Sequence, residues 1–148
     1  MKYAANHKAL FDYTILEHFE AGVELRGHEV KSIRSGHAKL EGSYVKIIGG
    51  EAFLVNAQIF PYALSRPDLA DPLRTRKLLF HKRELIRLQS KLDGAGLTLV
   101  ALSWYTKGPR IKLDVGLARG KKQYEKREII KKRDEVRDLE KQFRGKVK

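Results

Sequence analysis

A seven-residue segment near the end of the chain alternates apolar with polar or small residues without a break. It reads Ile111-Lys112-Leu113-Asp114-Val115-Gly116-Leu117. Successive side chains of a strand point to opposite faces, so this period predicts a strand with one face buried and the other in water. The chain must therefore contain a sheet that packs one side against a core.

Other segments also favour strands. Residues 43–48 and 51–56 are β-rich runs on either side of Gly49-Gly50. Both residues of such a two-residue loop need positive φ, which glycine adopts freely, so the pattern predicts a hairpin. Residues 97–105 form a strong strand candidate, and residues 12–17 form a first, shorter one.

Two short helices are predicted between the strands. Residues 28–34 have apolar positions at helical spacing before Gly36, and residues 81–92 carry Leu85, Leu88 and Leu92 on one face. Glycine follows each segment at a plausible helix end. The first twelve residues lack periodicity and are expected to be a flexible arm. Residues 60–73 contain three prolines and are expected to form an irregular surface connection.

About six strands with short helices indicate a mainly β fold, a small closed or partly open barrel of the OB type. Such barrels often bind nucleic acids, although a fold alone does not determine function. We assign residues 1–118 to this OB-like RNA-binding barrel and residues 119–148 to a basic C-terminal tail.

The charge of the chain points to a polyanionic partner. The 31 Lys and Arg against 18 Asp and Glu give a net charge of +13. Nucleic acid and an anionic membrane both attract such a chain. No cysteine is present, which excludes disulfides and zinc knuckles and fits a reducing compartment. No apolar run approaches the roughly 20 residues that span a bilayer. With no signal sequence at the start, we expect a cytoplasmic protein without a membrane.

The tail differs from the barrel in composition. Residues 119–148 hold 13 Lys and Arg and 6 Asp and Glu, so this fifth of the chain carries +7 of the charge. A thin apolar stripe follows helical spacing: Ile129, Val136, Leu139 and Phe143. The tail is expected to be helical or disordered. It is either a solvated helix lying lightly on the barrel or, as we favour, a segment that folds against RNA. A membrane-surface helix is disfavoured by Asp134, Glu135, Asp138 and Glu140.

No pattern of catalytic or metal-ligating residues stands out. The five histidines form no helical HxxxH pair, and a metal site needs three or four converging ligands. Gly120-Lys121-Lys122 is too short for a phosphate loop. We therefore expect no enzyme, no metal and no cofactor. Basic clusters suit RNA phosphates better, and aromatic residues lie near several of them; the clusters include Arg74, Arg76 and Lys77, then Arg119, Lys121 and Lys122.

Ordered motifs along nearly the whole chain resemble one known family. In chain order they are Asn6-His7-Lys8-Ala9, Asp12-Tyr13, Phe19-Glu20-Ala21-Gly22, Gly27-His28-Glu29-Val30-Lys31-Ser32, Gly50-Glu51-Ala52-Phe53-Leu54, Arg74-Thr75-Arg76-Lys77-Leu78-Leu79, Gly96-Leu97-Thr98-Leu99-Val100 and residues 117–127. The sequence resembles the SsrA-binding protein (SmpB) family, the partners of transfer-messenger RNA.

The resemblance implies an OB-like barrel that grips the tRNA-like domain of transfer-messenger RNA. The complex would enter stalled ribosomes for trans-translation, which rescues the ribosome and tags the stalled peptide. The tail would sense the empty mRNA channel near the decoding centre. Alanyl-tRNA synthetase and elongation factor Tu would be partners through the RNA complex.

Positions that match the family's motifs receive roles from the same resemblance. The residues implied to face the tRNA-like domain are Asn6, Lys8, Glu29, Lys31, Arg119, Lys121 and Lys122. The residues implied to act at the decoding centre are Tyr124, Glu125, Lys126 and Arg127. The family often has Asp at the position of Glu125, which keeps the charge and changes the reach.

Glu29 requires a physical reason, because phosphate repels a carboxylate. It could accept hydrogen bonds from a base edge or a 2′-hydroxyl, which would give specificity. The alternative is a salt bridge with a nearby lysine. For the whole chain, the alternatives are a ribosomal-RNA-binding or ribosome-assembly protein and an OB-type nuclease.

Overall fold

The computed structural model describes residues 2–61, 71–93 and 96–121, together with residues 131, 133, 134 and 137. The described part of residues 2–121 contains three helices, α1 (His7–Asp12), α2 (Gly27–Arg34) and α3 (Lys82–Leu92). Its nine strands are β1 (Lys2–Ala5), β2 (Tyr13–Val23), β3 (Ala38–Lys39), β4 (Tyr44–Ile48), β5 (Glu51–Val55), β6 (Gln58–Ile59), β7 (Arg76–Leu79), β8 (Leu97–Lys107) and β9 (Arg110–Gly120). The predicted mainly β fold is confirmed.

Seven strands form one antiparallel sheet in the order β1-β8-β9-β2-β7-β5-β4, while β3 pairs with β6. The sheet curls so that β4, at its far edge, contacts β8 near the other edge. This is the partly open, OB-like barrel that the sequence predicts, with seven strands in its main sheet. The hairpin at Gly49-Gly50 is also confirmed, since both residues have positive φ, 59° and 76°.

The alternation in β9 divides its side chains between the two faces of the sheet. Ile111, Leu113, Val115 and Leu117 are buried in the main core, as predicted. Burying each large aliphatic side chain contributes about 1.5–3 kcal/mol. Trp104 of β8 is fully buried in the same core. The period of two along these strands therefore sets the inside of the barrel.

Helix α3 joins this core on its apolar face. Leu88 is fully buried, and Leu85 and Leu92 pack around it. On the polar side, Arg87 Nη2 lies 2.8 Å from Glu17 Oε1, and Lys91 also pairs with Glu17. The ion pairs thus hold the helix to β2, while its apolar face packs on the main core. It begins one residue later than predicted.

The prediction of a flexible N-terminal arm is wrong. Residues 2–5 form β1, which pairs with β8, and residues 7–12 form α1. Ala9 of α1 packs with Val100, Leu102 and Ala118 in a second, smaller apolar cluster. Helix α1 has six residues and one buried side chain, so it leaves almost no periodic signal in the sequence.

A glycine makes this second cluster possible. A Cβ placed on Gly116 would lie 2.8 Å from Leu102 Cδ1, closer than real Cβ contacts. Leu102 therefore lies across the bare backbone of β9 and reaches the underside of α1. The packing fixes α1 on the outer surface of the barrel.

Several strand boundaries differ from the predicted ones, and the changes in β2 and β9 matter most for the site. The first strand extends over Tyr13–Val23 rather than residues 12–17. Strand β9 continues through Gly120, two residues past the proposed barrel boundary, so Arg119 belongs to a strand and pairs with Thr14. The division into barrel and tail otherwise stays a prediction. The tail stripe at Ile129, Val136, Leu139 and Phe143 lies outside the described residues.

Candidate nucleic-acid interface

The carboxylate of Glu29 lies in the protein interior, with 2% of the residue exposed. Its Oε1 accepts a hydrogen bond from the backbone N–H of Arg26 at 2.8 Å and another from Arg74 Nη2. Its Oε2 accepts from Arg76 Nε at 2.8 Å and lies 2.6 Å from Arg76 Nη2. One carboxylate thereby joins the start of α2 to two arginines at the start of β7.

Arg76 is fully buried at the other side of this network. Besides Glu29, its Nη1 donates to the carbonyl of Ala57 at 2.7 Å, and its Nη2 donates to the carbonyl of Pro72 at 3.3 Å. Burial lowers the pKa of Arg76, and the facing Glu29 carboxylate opposes that change. Arginine has so high an ordinary pKa that the guanidinium stays charged.

The pKa of Glu29 is determined by two opposing effects. Burial alone would raise it, because desolvation disfavours the charged carboxylate. The Arg26 N–H and the hydrogen bonds from Arg74 and Arg76 outweigh burial and hold the pKa below its ordinary value. Glu29 is therefore ionised at neutral pH and fully paired.

This burial changes the physical role available to Glu29 and Arg76. In this structure both side chains face each other rather than solvent, so neither charge lies on the surface of the barrel. The salt-bridge alternative is the arrangement found, although with arginines instead of a lysine.

Two lysines with solvent access lie beside the buried pair. Lys31 is exposed two residues further along α2. Lys77 follows Arg76 in β7 and is partly exposed, with Nζ 3.3 Å from Glu51 Oε1. Because Glu29 links α2 to β7, it also fixes the positions of these neighbours. We call Lys31 and Lys77 the α2 cationic group.

Asn6 is buried in a similar way at another place on the barrel, with 3% exposed. Its Oδ1 accepts from the N–H of Ala9 and caps α1. Its Nδ2 donates to the carbonyls of Leu40 at 3.2 Å and Ala101 at 2.9 Å. All of these bonds are internal, so the side chain ties α1 to the barrel.

Three cations surround α1. Lys8 is exposed on the helix, and Arg119 is exposed near the end of β9. Lys121 donates its backbone N–H to the carbonyl of Asp12 at 2.9 Å and its Nζ to the carbonyl of Leu10 at 3.1 Å. These bonds hold the chain that leaves β9 against α1. We call Lys8, Arg119 and Lys121 the α1 cationic group.

The two groups lie at opposite ends of β2. Thr14 pairs with Arg119, whereas Val23 pairs with Leu78, next to Lys77. Val23 is nine positions after Thr14, which gives a strand contour of about 30 Å. The sequence predicts one set of RNA-facing residues, and the structure divides it into two exposed groups, each beside a buried polar anchor.

The remaining predicted residues concern the tail. Lys122, Tyr124, Glu125, Lys126 and Arg127 lie outside the described residues, so their roles stay predictions. Residues 131, 133, 134 and 137 have helical backbone. The Arg133 guanidinium carbon lies 5.5 Å from the centre of the Phe11 ring in α1.

The sequence contained a usable signal for one of these anchors. Asn6 stands just before a helix, which is the preferred position of an N-cap asparagine. The burial of Glu29 and Arg76 had no such signal, since the partners are 47 positions apart. Arg74 appeared only as one member of a basic cluster, and its bond to Glu29 was missed.

Two further features bear on the kind of site. Within the described ranges, no three His, Asp or Glu side chains are grouped in a way that could hold a metal ion. In the same ranges, no helix is both long and apolar enough to cross a bilayer.

A partly open β-barrel with exposed cations at two ends is typical of small nucleic-acid-binding domains. The family model described as "SmpB protein" matches residues 3–145. An SsrA-binding protein of Persephonella marina is 47% identical over 145 residues, covering 98% of this chain and 95% of the relative. One of Chlorobaculum tepidum is 50% identical over 137 residues, covering 92% and 87%.

A solved structure is similar as well. It is described as "tmRNA-SmpB: a journey to the center of the bacterial ribosome", and its matching chain is 47% identical with a TM-score of 0.67. The match covers 80% of this chain and 84% of that one. The chain belongs to the SmpB family, and the resemblance predicted from its motifs is confirmed.

The buried network predicts a large loss of stability in Glu29→Gln. Glutamine keeps the shape of the side chain and removes the charge that Arg74 and Arg76 both contact, leaving Arg76 with only the weaker attraction of Asp71. Removing one partner of a buried pair costs about 3–5 kcal/mol. Urea unfolding at pH 7 measures the loss, with Glu51→Gln as the control for an exposed pair. Equal stability of the two variants would contradict the role assigned to Glu29.

The lowered pKa of Glu29 predicts how this stability depends on pH. The contribution is complete above the ordinary glutamate value of 4.5 and disappears as the pH falls through the lower pKa of the folded state. The difference in unfolding free energy between wild type and Glu29→Gln should therefore shrink between pH 5 and strongly acidic pH. A difference that stays constant over this range would show that the carboxylate charge is not involved.

Proposed function

We propose that this protein binds the tRNA-like domain of transfer-messenger RNA with its barrel and delivers it to stalled ribosomes for trans-translation. The observation that carries the proposal is the pair of exposed cationic groups held at a fixed separation on one rigid barrel. The name SsrA-binding protein, borne by relatives about half identical to this chain, supports the same partner. The ribosome is named together with tmRNA in the description of the similar structure.

The exposed cations contact RNA phosphates in this proposal. Such contacts position a protein on RNA and carry no sequence information by themselves. Discrimination arises because the two groups lie at opposite ends of β2, whose contour between Thr14 and Val23 is about 30 Å. Only an RNA whose folded backbone places phosphates at both groups satisfies them together, and double-stranded RNA is recognised largely by such shape.

The predicted RNA-binding residues thus divide by role. Those proposed to meet phosphates are Lys8, Lys31, Lys77, Arg119, Lys121 and Lys122. Those proposed to act from the interior, by fixing the others in place, are Asn6, Glu29 and Arg76. The protein acts as an adaptor and catalyses no reaction itself. Alanyl-tRNA synthetase and elongation factor Tu act on the same RNA complex, which places the protein with them in the cytoplasm.

The tail has a separate role in this proposal. Tyr124, Glu125, Lys126 and Arg127 act near the decoding centre, with the tail sensing the empty mRNA channel. Arg133 lies against the Phe11 ring of α1, and an exposed cation–π pair is worth only about 0.5–1 kcal/mol, so this one contact would cost little to break.

The phosphate contacts predict a specific dependence on salt. Binding to transfer-messenger RNA, ordinary tRNA and ribosomal RNA fragments would be measured over a salt series. We expect a clear preference for the first and no cleavage with magnesium. Lys31→Ala and Lys8→Ala should each lower the log–log salt slope by about 1, since each removes one phosphate contact. Lys39→Ala, outside both groups, is the matched control.

Equal affinity for the three RNAs would contradict the adaptor role. It would favour the alternative, a ribosomal-RNA-binding or ribosome-assembly protein. Cleavage of any of the RNAs in the presence of magnesium would instead indicate a nuclease.

Deleting residues 124–148 should separate the two roles. The truncated chain keeps both cationic groups on the barrel, so its affinity for isolated transfer-messenger RNA should stay within a few fold. Peptide tagging on stalled ribosomes should be lost. Both are measured against the full-length chain in a reconstituted translation system. If the affinity for RNA is lost together with tagging, the tail itself contributes to RNA binding.

A further inference from the structure

The outer side of α3 carries an aliphatic side chain that the core does not use. Ile86 is 63% exposed, whereas the leucines of the helix pack against the main core. Residues three or four positions apart are neighbours on a helix surface. Lys82 and Arg83 therefore lie on one side of Ile86 and Gln89 and Ser90 on the other, and all four are exposed. An exposed isoleucine thus stands beside two cations.

A bulge in β2 exposes a second aliphatic side chain. Ile15 pairs with Ala118 and Glu17 pairs with Leu117, so Leu16 has no partner in β9. Bulges of this kind redirect side chains and are frequent beside functional sites. The side chain of Leu16 is left in solvent, with 47% of the residue exposed.

An ion pair brings these two places together. Glu17 Oε1 lies 2.8 Å from Arg87 Nη2, and Lys91 pairs with the same carboxylate. Leu16 directly precedes Glu17 in the chain, and Ile86 directly precedes Arg87. The two exposed aliphatic side chains therefore belong to one region of the surface. We call this region the α3 surface; it consists of Leu16, Lys82, Arg83 and Ile86.

The two cations of the α3 surface lack a counter-charge. Lys82 and Arg83 form no ion pair with any acidic residue that the structure describes. They occupy the first turn of α3, where the helix dipole disfavours positive charge, and His81 makes no side-chain capping bond there. Only Glu84 opposes them within that turn. Departures from a local rule are expected at functional positions, and an acidic partner at this end of α3 would offset the unfavourable charge.

An acidic protein fits this surface better than other occupants do. RNA phosphates attract the cations but gain nothing from two aliphatic side chains. A second copy of the chain would place cations against cations. A membrane-surface helix needs a broad apolar face, and α3 uses its leucines in the core. A protein surface that presents apolar side chains between carboxylates matches both features, since interfaces combine an apolar centre with a polar rim.

We propose that the α3 surface docks an acidic amphipathic helix of a partner protein. The apolar ridge of that helix covers Leu16 and Ile86, and its carboxylates pair with Lys82 and Arg83. Two aliphatic anchors make a footprint well below the roughly 800 Å² per partner of a standard interface, so this contact alone is transient. The inference goes beyond the proposed function and does not depend on it.

The probe is a synthetic helical peptide with leucines along one face and glutamates on both sides of them. It would be titrated into the full-length, nitrogen-15-labelled protein, and changes in amide chemical shift would locate the contact. We expect changes in the first two turns of α3 and around Leu16. A single-stranded RNA oligonucleotide is the second probe, and it should affect the α1 and α2 cationic groups more than the α3 surface.

Alanine variants test the two anchors. Ile86→Ala and Leu16→Ala should each weaken peptide binding about fivefold or more, which is the size of effect that truncating an interface anchor has. Arg83→Gln should also weaken it, because it removes one of the two cations. Ile48→Ala, at a similarly exposed aliphatic position of β4, is the matched control and should bind the peptide like the wild type. The amide spectrum of each variant verifies that it is folded.

Absence of peptide binding, or unchanged affinity in both anchor variants, would overturn the proposal. So would RNA-induced changes at the α3 surface as large as those that the peptide causes. The anchor variants should keep the affinity of the wild type for transfer-messenger RNA, and a loss there would assign the α3 surface to the RNA interface instead. A failure of the adaptor function would appear as a lost preference for that RNA and would leave the peptide titration unchanged.

Discussion

The arrangement of α2 and β7 at one end of the barrel depends on the carboxylate of Glu29. This carboxylate joins the backbone of Arg26, the partly exposed guanidinium of Arg74 and the buried guanidinium of Arg76. Such a buried pair adds little net stability over an apolar replacement, yet it is costly to break. The pair instead fixes orientation, because charged hydrogen bonds restrict the position of α2 relative to β7 more narrowly than apolar contacts do.

The same principle appears at the other end of β2. Asn6 is buried beneath α1, and its amide bonds reach carbonyls from two other parts of the barrel. In both places a buried polar side chain fixes a short helix whose exposed lysine stands nearby. Long side chains lose conformational entropy when they bind phosphates. A backbone that is already fixed loses little further entropy on binding. Strand β2 sets the separation between the two ends, so the barrel carries cations at defined positions.

Much of this fold follows from local pattern. The alternation in β9, the glycines at the β4–β5 turn and the leucine stripe of α3 all specify their elements over short distances. The N-terminal segment was mispredicted because β1 depends on pairing with β8, about a hundred residues away, and α1 depends on a bare glycine in β9. Neither partner leaves a signal within the first twelve residues.

The sequence predicts which residues belong to the candidate site better than it predicts how those residues are arranged. The motifs picked out Asn6, Glu29 and Arg76, but charged residues are almost never fully buried unless paired. Glu29 and Arg76 are far apart in the sequence, so no local pattern indicates that they pair. Likewise, the sequence gives no distance between Lys77 and Arg119, and only the antiparallel pairing of β2 with β7 and β9 places them at opposite ends of the strand.

A double-mutant cycle tests the central claim that Glu29 acts by positioning its neighbours. Affinity for transfer-messenger RNA would be measured for wild type, Glu29→Gln, the Lys31→Ala/Lys77→Ala pair and the triple variant, at a temperature where all are folded. Positioning predicts strong non-additivity, so that Glu29→Gln costs little once both lysines are gone. If Glu29→Gln costs as much without the lysines as with them, the carboxylate contacts RNA directly and the claim is contradicted.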